Sequence, residues 1–246
     1  AVTIELSGKT VTIGGMCKGS GMIHPNMCTM LGFVTSDIAI EKSLLQEALS
    51  EIVDDTFNMI TVDGDTSTND TYMVMANGLA GNEKITSKNA DYETFKAALL
   101  YVSETLAKKM AADGEGATKL FEAQVVGAAS KDDAKILSKS IVKSNLSKAA
   151  IFGCDANFGR FLCAMGYSGV MFDQYKVEMF IKSKAGSVKV FDYGTPVAFD
   201  EEKALEVMKE ETVIVYVDMH TGDASATAWG CDLTYDYVKI NADYRS

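Results

Sequence analysis

The chain has 246 residues, 47% of them hydrophobic and 23% charged, with 34 acidic against 23 basic residues and a net charge of −11. That balance belongs to a folded globular protein with a sizeable core, and it excludes a disordered tail, a collagen-like fibre and a coiled coil. The acidic field repels a phosphate backbone, so no nucleic-acid partner is expected, and no apolar run reaches the roughly 18 residues of a membrane span.

Val2, Ile4 and Leu6 alternate with polar residues, Ser7-Gly8 offers a two-residue turn, and Val11 and Ile13 resume the alternation. This predicts a β-hairpin. Gly14 to Gly21 (GGMCKGSG) reads as a glycine-rich loop. Asp37 is the predicted N-cap of a helix running to about Val53, because Leu44, Leu45, Ala48, Leu49, Ile52 and Val53 recur at helical spacing. Asp63 to Thr71 (DGDTSTNDT) is polar and rich in turn formers. A second helix is predicted from about Asp91 to Ala112, with Tyr92, Phe95, Leu99, Val102, Leu106 and Met110 on one stripe. A strand near Leu120–Ala128 and a helix near Asp132–Ser144 follow. The loop FGCDANFGR, Phe152 to Arg160, opens a further helix. Strands are predicted near Lys176–Ser183 and Val188–Tyr193, and Asp200 caps a short helix, Glu201 to Lys209. The remainder reads as strands over Val213–Asp218, Ala224–Cys231 and Thr234–Ile240. With no repeat, low-complexity run or linker, the expectation is one compact mixed α and β unit.

Five cysteines, Cys17, Cys28, Cys154, Cys163 and Cys231, form no CxxC pair. An odd count in a chain of this length points to free thiols in a reducing cytoplasm rather than a disulfide framework or a zinc site. His24 and His220 are the only histidines, too few for a histidine-rich metal centre, and no metal is expected. The opening AVTIELSGKT lacks the basic region and apolar run of a signal peptide. Asp63, Asp65 and Asp70 superficially suggest a calcium loop, but the glycine and glutamate that an EF-hand requires are missing. The 13 methionines are expected to fill core gaps.

The densest chemical signal is KGSGMIHPNMCTMLGF, Lys18 to Phe33. Gly19 and Gly21 let backbone approach a ligand or take positive φ, and Lys18 adds a cation. The loop fits neither GxxxxGK[ST] nor GxGxxG, so a nucleotide site is set aside. A small residue, Cys28, precedes Thr29 at the head of an apolar strand. That order suits a self-cleaving precursor: the Thr hydroxyl attacks the preceding carbonyl, an ester forms, and water releases a new N-terminal Thr. The new α-amine, with a pKa near about 8, can then act as base for its own hydroxyl. By itself a Cys-Thr step is more often an ordinary strand start. Likewise Lys18 alone reads as a solvated loop lysine, Glu115 as a solvated turn acid, and Asn241 and Ser246 as residues of a fraying terminus.

Taken together, these segments resemble one family. Lys18 to Leu31 is similar to the processing motif of the ornithine acetyltransferases, the glutamate N-acetyltransferases of arginine biosynthesis. Asp63 to Asp70 (DGDTSTND), Asp113 to Lys119 (DGEGATK), Gly153 to Arg160 (GCDANFGR) and Tyr237 to Ser246 (YVKINADYRS) resemble its further motifs in order. The resemblance implies an α+β fold of stacked β-sheets flanked by helices, shared with self-processing aminopeptidases. It implies cleavage between Cys28 and Thr29, dividing residues 1–28 (the end of an α chain) from 29–246 (the β chain). It implies Thr29 as nucleophile, with Lys18, Thr29, Glu115, Asn241 and Ser246 contacting substrate. The implied reaction carries acetyl from N2-acetylornithine to glutamate through acetyl-Thr29, without a cofactor, acetyl-CoA being a second conceivable donor. The α-amine of Thr29 is preferred to His24 as base, and Trp229 is expected to pack behind the site. Cys28 stands where the family usually has Ala. An upstream α-chain segment, which carries the family's oxyanion pair, is implied as a partner, with αβ units assembling in pairs or larger. A self-processing aminopeptidase or amidase of the same fold, or an unprocessed inactive fragment, are the alternatives.

Overall fold

The computed structural model describes residues 1–27 and 29–243. Its contacts group the chain into two compact units, where the sequence suggested one. The first comprises Ala1–Asn58 and Asp65–Met110; the second comprises Met59–Gly64 and the chain from Ala111 onward. The expected division after residue 28 concerns a peptide bond rather than packing, and it falls inside the first unit.

In the first unit, β1 (Val2–Leu6) and β2 (Lys9–Lys18) form the expected hairpin, with Leu6 paired to Lys9. Ser7 and Gly8 both take positive φ, 48° and 79°, the turn whose twist matches that of the strands. Half of the expected glycine loop is strand: β2 runs on through Gly14 and Gly15 to Lys18 and pairs with β3 (Leu31–Ser36). The physical reason is packing. A Cβ at Gly15 would lie 2.8 Å from the Phe33 carbonyl oxygen and 2.8 Å from a Val34 methyl, so the glycine serves close approach within a sheet. β4 (Thr71–Ala76), which the hydrophobic pattern did not reveal, lies parallel to β3 and completes the order β1-β2-β3-β4.

The helix α1 (Lys42–Val53) starts four residues later than expected, capped by the extended backbone of Glu41. Asp37 instead accepts a hydrogen bond from the Thr12 amide at 2.8 Å, Ile38 is buried, and Ile40 bridges to Ile85, so residues 37–40 are held extended. The helix α2 (Ala90–Ala112) carries the expected stripe, from Tyr92 to Met110, fully inside. The Asn89 side chain accepts from the Tyr92 amide at its start. It meets β4 through Tyr72, whose hydroxyl lies 2.5 Å from that of Ser103 and is pushed up to about 12 by burial.

The second unit holds β5 (Leu120–Ala128), β6 (Glu178–Ser183), β7 (Gly186–Asp192), β8 (Thr195–Pro196), β9 (Thr212–Asp218) and β10 (Ala224–Cys231), in the order β10-β5-β9-β6-β7-β8. β5 and β9 are parallel and the other neighbours antiparallel. The helix α3 (Lys131–Lys143), capped by Ser130, covers β5 and β10. The unforeseen α4 (Asn145–Phe152) follows directly, restarted by Ser144, whose side chain accepts from the Ser147 amide. The helix α5 (Phe158–Gly166) begins at the Asn157 cap, inside the stretch expected to be loop, and α6 (Glu201–Met208) begins at the Asp200 cap, as expected. The predicted strand Thr234–Ile240 is a helix, α7 (Tyr235–Asp243). Its Tyr-Asp-Tyr-Val-Lys-Ile alternation mimics a strand, but the Thr234 hydroxyl accepts from the Tyr237 amide at 3.2 Å and turns the chain into a helix. The fold class is α+β with helices flanking the sheets, as expected. Among the described residues no helix is long and apolar enough to cross a membrane.

Candidate active site

Thr29 lies two residues before β3, where Met30 is already fixed by a hydrogen bond from the Thr71 amide to its carbonyl, 2.9 Å. The half-exposed stretch 65–70, in the same unit, reaches back to it. The Thr29 amide donates to Ser67 Oγ at 2.5 Å and to Asp70 Oδ1 at 3.0 Å. Asp70 Oδ1 also accepts from the Met30 amide at 3.0 Å. The Thr29 hydroxyl lies 2.7 Å from Ser67 Oγ and 3.6 Å from the Met22 sulfur. Ser67 is fixed in turn, since the Asn69 amide donates to the same oxygen at 3.1 Å. Two short polar side chains thus hold both the nitrogen and the hydroxyl of one threonine.

Lys18, the last residue of β2, pairs across the sheet with Leu31, and its Nζ lies 3.5 Å from the Thr29 carbonyl oxygen. Strand register alone therefore carries a cation to the candidate nucleophile. His24 joins the same loop through its backbone carbonyl, which accepts from the Thr66 hydroxyl at 2.9 Å. A cavity of about 710 Å³ opens in this unit, with Asn26, Met27, Asp54, Asp70 and Tyr72 on its walls.

The second unit assembles the other predicted residues. Ala117 N donates to the Gly114 carbonyl at 2.9 Å, which turns the chain around Glu115. The Thr234 hydroxyl donates to the Gly116 carbonyl at 2.7 Å and starts α7 there. Seven residues after Thr234, Asn241 Nδ2 donates to Glu115 Oε2 and to the Tyr237 carbonyl, both at 2.9 Å. Beneath the turn, the buried Asp232 carboxylate accepts from the amides of Thr118 and Lys119 and from the Thr118 hydroxyl. Glu115 and Asn241, far apart in sequence, are therefore direct partners.

The structure thus joins Lys18 to Thr29, and Glu115 to Asn241. Cys28 and Ser246 lie outside the described residues. Trp229 is buried on β10 and donates from its indole nitrogen to Glu122 at 3.0 Å, a partner within its own unit. Sequence reasoning gave Ser67 no role of its own and named Asp70 only in the discarded calcium reading. Their signal was the run of short polar side chains in DGDTSTND, which reads equally well as a solvated turn. Among the described residues, Cys17, Cys154, Cys163 and Cys231 form no disulfide with one another. The described residues contain no group of His, Cys, Asp and Glu side chains arranged to hold a metal ion.

Fold and site together describe an α+β protein with a threonine clamped at the head of a strand by a serine and an aspartate. Residues 1–246 match the ArgJ family, and the chain belongs to it. It is 56% identical over 246 residues to the arginine biosynthesis bifunctional protein ArgJ of Symbiobacterium thermophilum, and 53% identical over 243 residues to that of Bacillus subtilis. It covers 60% and 59% of those two proteins, so it spans about 60% of the length of these curated relatives. The solved arginine biosynthesis bifunctional protein argJ of Bacillus halodurans superposes with a TM-score of 0.80 at 48% identity, covering 85% of this chain and 97% of that one. The resemblance read from five ordered motifs is therefore borne out along the whole chain.

Proposed function

We propose that the protein is the part of a glutamate N-acetyltransferase of arginine biosynthesis that carries the nucleophile, Thr29. The observation that carries this reading is the clamp on Thr29: its nitrogen and hydroxyl are both held, in a chain that belongs to the ArgJ family. Self-cleavage before Thr29 turns that nitrogen into an α-amine able to serve as base. The Thr29 oxygen then attacks the acetyl carbonyl of N2-acetylornithine, the amide C–N bond breaks, and ornithine leaves with a proton. The amine of glutamate attacks the resulting ester and regenerates the hydroxyl. An ester placed between two amides makes both steps accessible through positioning and oxyanion stabilisation, without a cofactor.

An amino-acid substrate carries both signs of charge. Lys18 suits its carboxylate, while Glu115 suits its ammonium group, with Asn241 and Ser246 as neutral partners for side chains of differing charge. The clamp on Glu115 by Asn241 supports that pairing. The family's oxyanion groups belong to the upstream α-chain segment, so activity requires that segment, and αβ units associate further. Acetyl-CoA is a second donor in this reading, and the setting is cytoplasmic.

Denaturing intact-mass analysis of the complete protein tests the reading. Two species, one beginning at Thr29, are expected, together with an added acetyl group on Thr29 after exposure to N2-acetylornithine. Thr29→Ala should give one uncleaved species and no transfer to glutamate. A single uncleaved wild-type species without transfer would overturn the proposal.

A further inference from the structure

The contacts of Ser67 go beyond holding a loop. Its Oγ lies 2.5 Å from the Thr29 nitrogen and 2.7 Å from the Thr29 hydroxyl oxygen, so one hydroxyl bridges the two atoms between which a proton must travel. We propose that Ser67 is a catalytic residue, the proton shuttle between Thr29 Oγ1 and Thr29 N in both self-cleavage and acetyl transfer. The proposal rests on Thr29 being the nucleophile.

A hydroxyl is suited to this task because it accepts one proton while it releases another, with no change in its own charge. In self-cleavage, a bond forms between Thr29 Oγ1 and the carbonyl carbon of residue 28. The Oγ1 proton passes to Ser67 Oγ, and Ser67 passes its own proton to Thr29 N. That nitrogen becomes basic as it loses conjugation with the carbonyl, and the C–N bond then breaks. The product is an ester and an amine, Ser67 is unchanged, and water later hydrolyses the ester. In acetyl transfer the same path runs from Oγ1 through Ser67 to the α-amine, which becomes an ammonium group. The ammonium group then gives that proton directly to the ornithine nitrogen as the amide C–N bond breaks.

The surrounding contacts fix the geometry. The Asn69 amide donates to Ser67 Oγ at 3.1 Å, so the oxygen is anchored from its own loop. Asp70 is a positioning residue: its Oδ1 holds the amides of Thr29 and Met30, both at 3.0 Å, and keeps the nitrogen facing Ser67. The Lys18 ammonium hydrogen-bonds the Thr29 carbonyl, which is neither of the two reacting atoms. A bare structural role for Ser67 predicts lost stability; a shuttle predicts lost rate in two distinct reactions.

The test follows freshly translated complete precursor by intact mass over time, as wild type, Ser67→Ala and Ser67→Thr. A positioned proton carrier contributes about 100-fold or more in rate, so Ser67→Ala should cleave at least about 100-fold more slowly. Ser67→Thr, which keeps the hydroxyl, should stay within about tenfold. Cleavage of folded Ser67→Ala within about threefold of wild type would overturn the proposal. A second measurement needs no variant: a proton inventory of single-turnover acetyl transfer in mixtures of light and heavy water. A curved inventory, two protons in flight, is expected, and a linear one overturns the shuttle even where cleavage occurs. If wild type neither cleaves nor forms acetyl-Thr29, the nucleophile assignment itself fails, a result distinct from a cleaving wild type with an equally fast Ser67→Ala.

Discussion

Asp232 holds the turn that carries Glu115, and removing its carboxylate should loosen the second unit measurably. The residue is 3% exposed and sits just after β10. One oxygen accepts from the amides of Thr118 and Lys119, at 2.8 and 3.1 Å, and the other from the Thr118 hydroxyl at 2.5 Å. Hydrogen bonds to a charged group contribute about 1.5–3 kcal/mol each, and stranded buried donors add a desolvation cost. Because part of that sum is recovered when the carboxylate itself no longer needs desolvating, Asp232→Ala should cost about 3–4 kcal/mol. Asp232→Asn keeps the acceptor for both amides and loses the charge, so it should cost about 1–2 kcal/mol. The chain has a single tryptophan, Trp229, buried on the adjoining strand. Its fluorescence during urea unfolding therefore reports this unit directly. Against a total stability of about 5–15 kcal/mol, the Ala variant should unfold at a clearly lower midpoint with Asn between it and wild type. An Ala variant within about 0.5 kcal/mol of wild type, or an Asn variant as damaging as Ala, would refute this account of the turn.

The two glycine turns should respond differently to a methyl group. Gly8 and Gly116 both have positive φ, +79° and +69°, but a Cβ at Gly8 meets nothing within 4 Å, whereas one at Gly116 lies 2.7 Å from the Tyr237 nitrogen. Gly8→Ala should cost about 1 kcal/mol of backbone strain, and Gly116→Ala about 3 kcal/mol or more because the start of α7 must shift; equal urea midpoints for the two would refute this. Acid stability should depend on Glu178. The Lys189 ammonium first, and then His220, hold its carboxyl below the usual carboxylate range. A depressed acid stabilises the fold above its unfolded pKa of about 4.3, and that contribution is lost as pH falls through the lower folded value. Glu178→Gln should therefore lower the melting temperature at pH 7 slightly, by an amount equivalent to about 1 kcal/mol or less, and leave a shallower decline between pH 5 and 3. Parallel decline in both proteins would count against the ion pair.

Local patterns specified much of this architecture. The Ser7-Gly8 turn, the buried stripe of α2 and the Asp200 cap are signals whose geometry is contained within a few residues. The failures share a cause: partners distant in sequence decided the outcome. Asp37 looks like a cap until the Thr12 amide claims it. Gly14 and Gly15 look like a loop until pairing with β3 makes them strand and the close approach of that strand requires the smallness of Gly15. The 234–240 segment has strand-like alternation, and a single Thr234 cap overrides it. The candidate site divides in the same way. Thr29 and Lys18 were legible because they lie in one dense motif. Ser67 and Asp70 were hidden in a polar run whose members differ only in where folding sends them, and the pairing of Asn241 with Glu115 spans most of the second unit's sequence.

Asp70's grip on two successive amides has a consequence for entropy. A freshly cut polypeptide end ordinarily frays, and a terminal amine samples many orientations before one is useful. Here residue 30 is moored on both sides, by Asp70 at its nitrogen and by the Thr71 amide at its carbonyl. Severing the bond before Thr29 would leave those moorings intact, so the nascent terminus would inherit the orientation it had as an interior residue. The ordering would then be done once, during folding, and would not have to be repeated at each catalytic turnover.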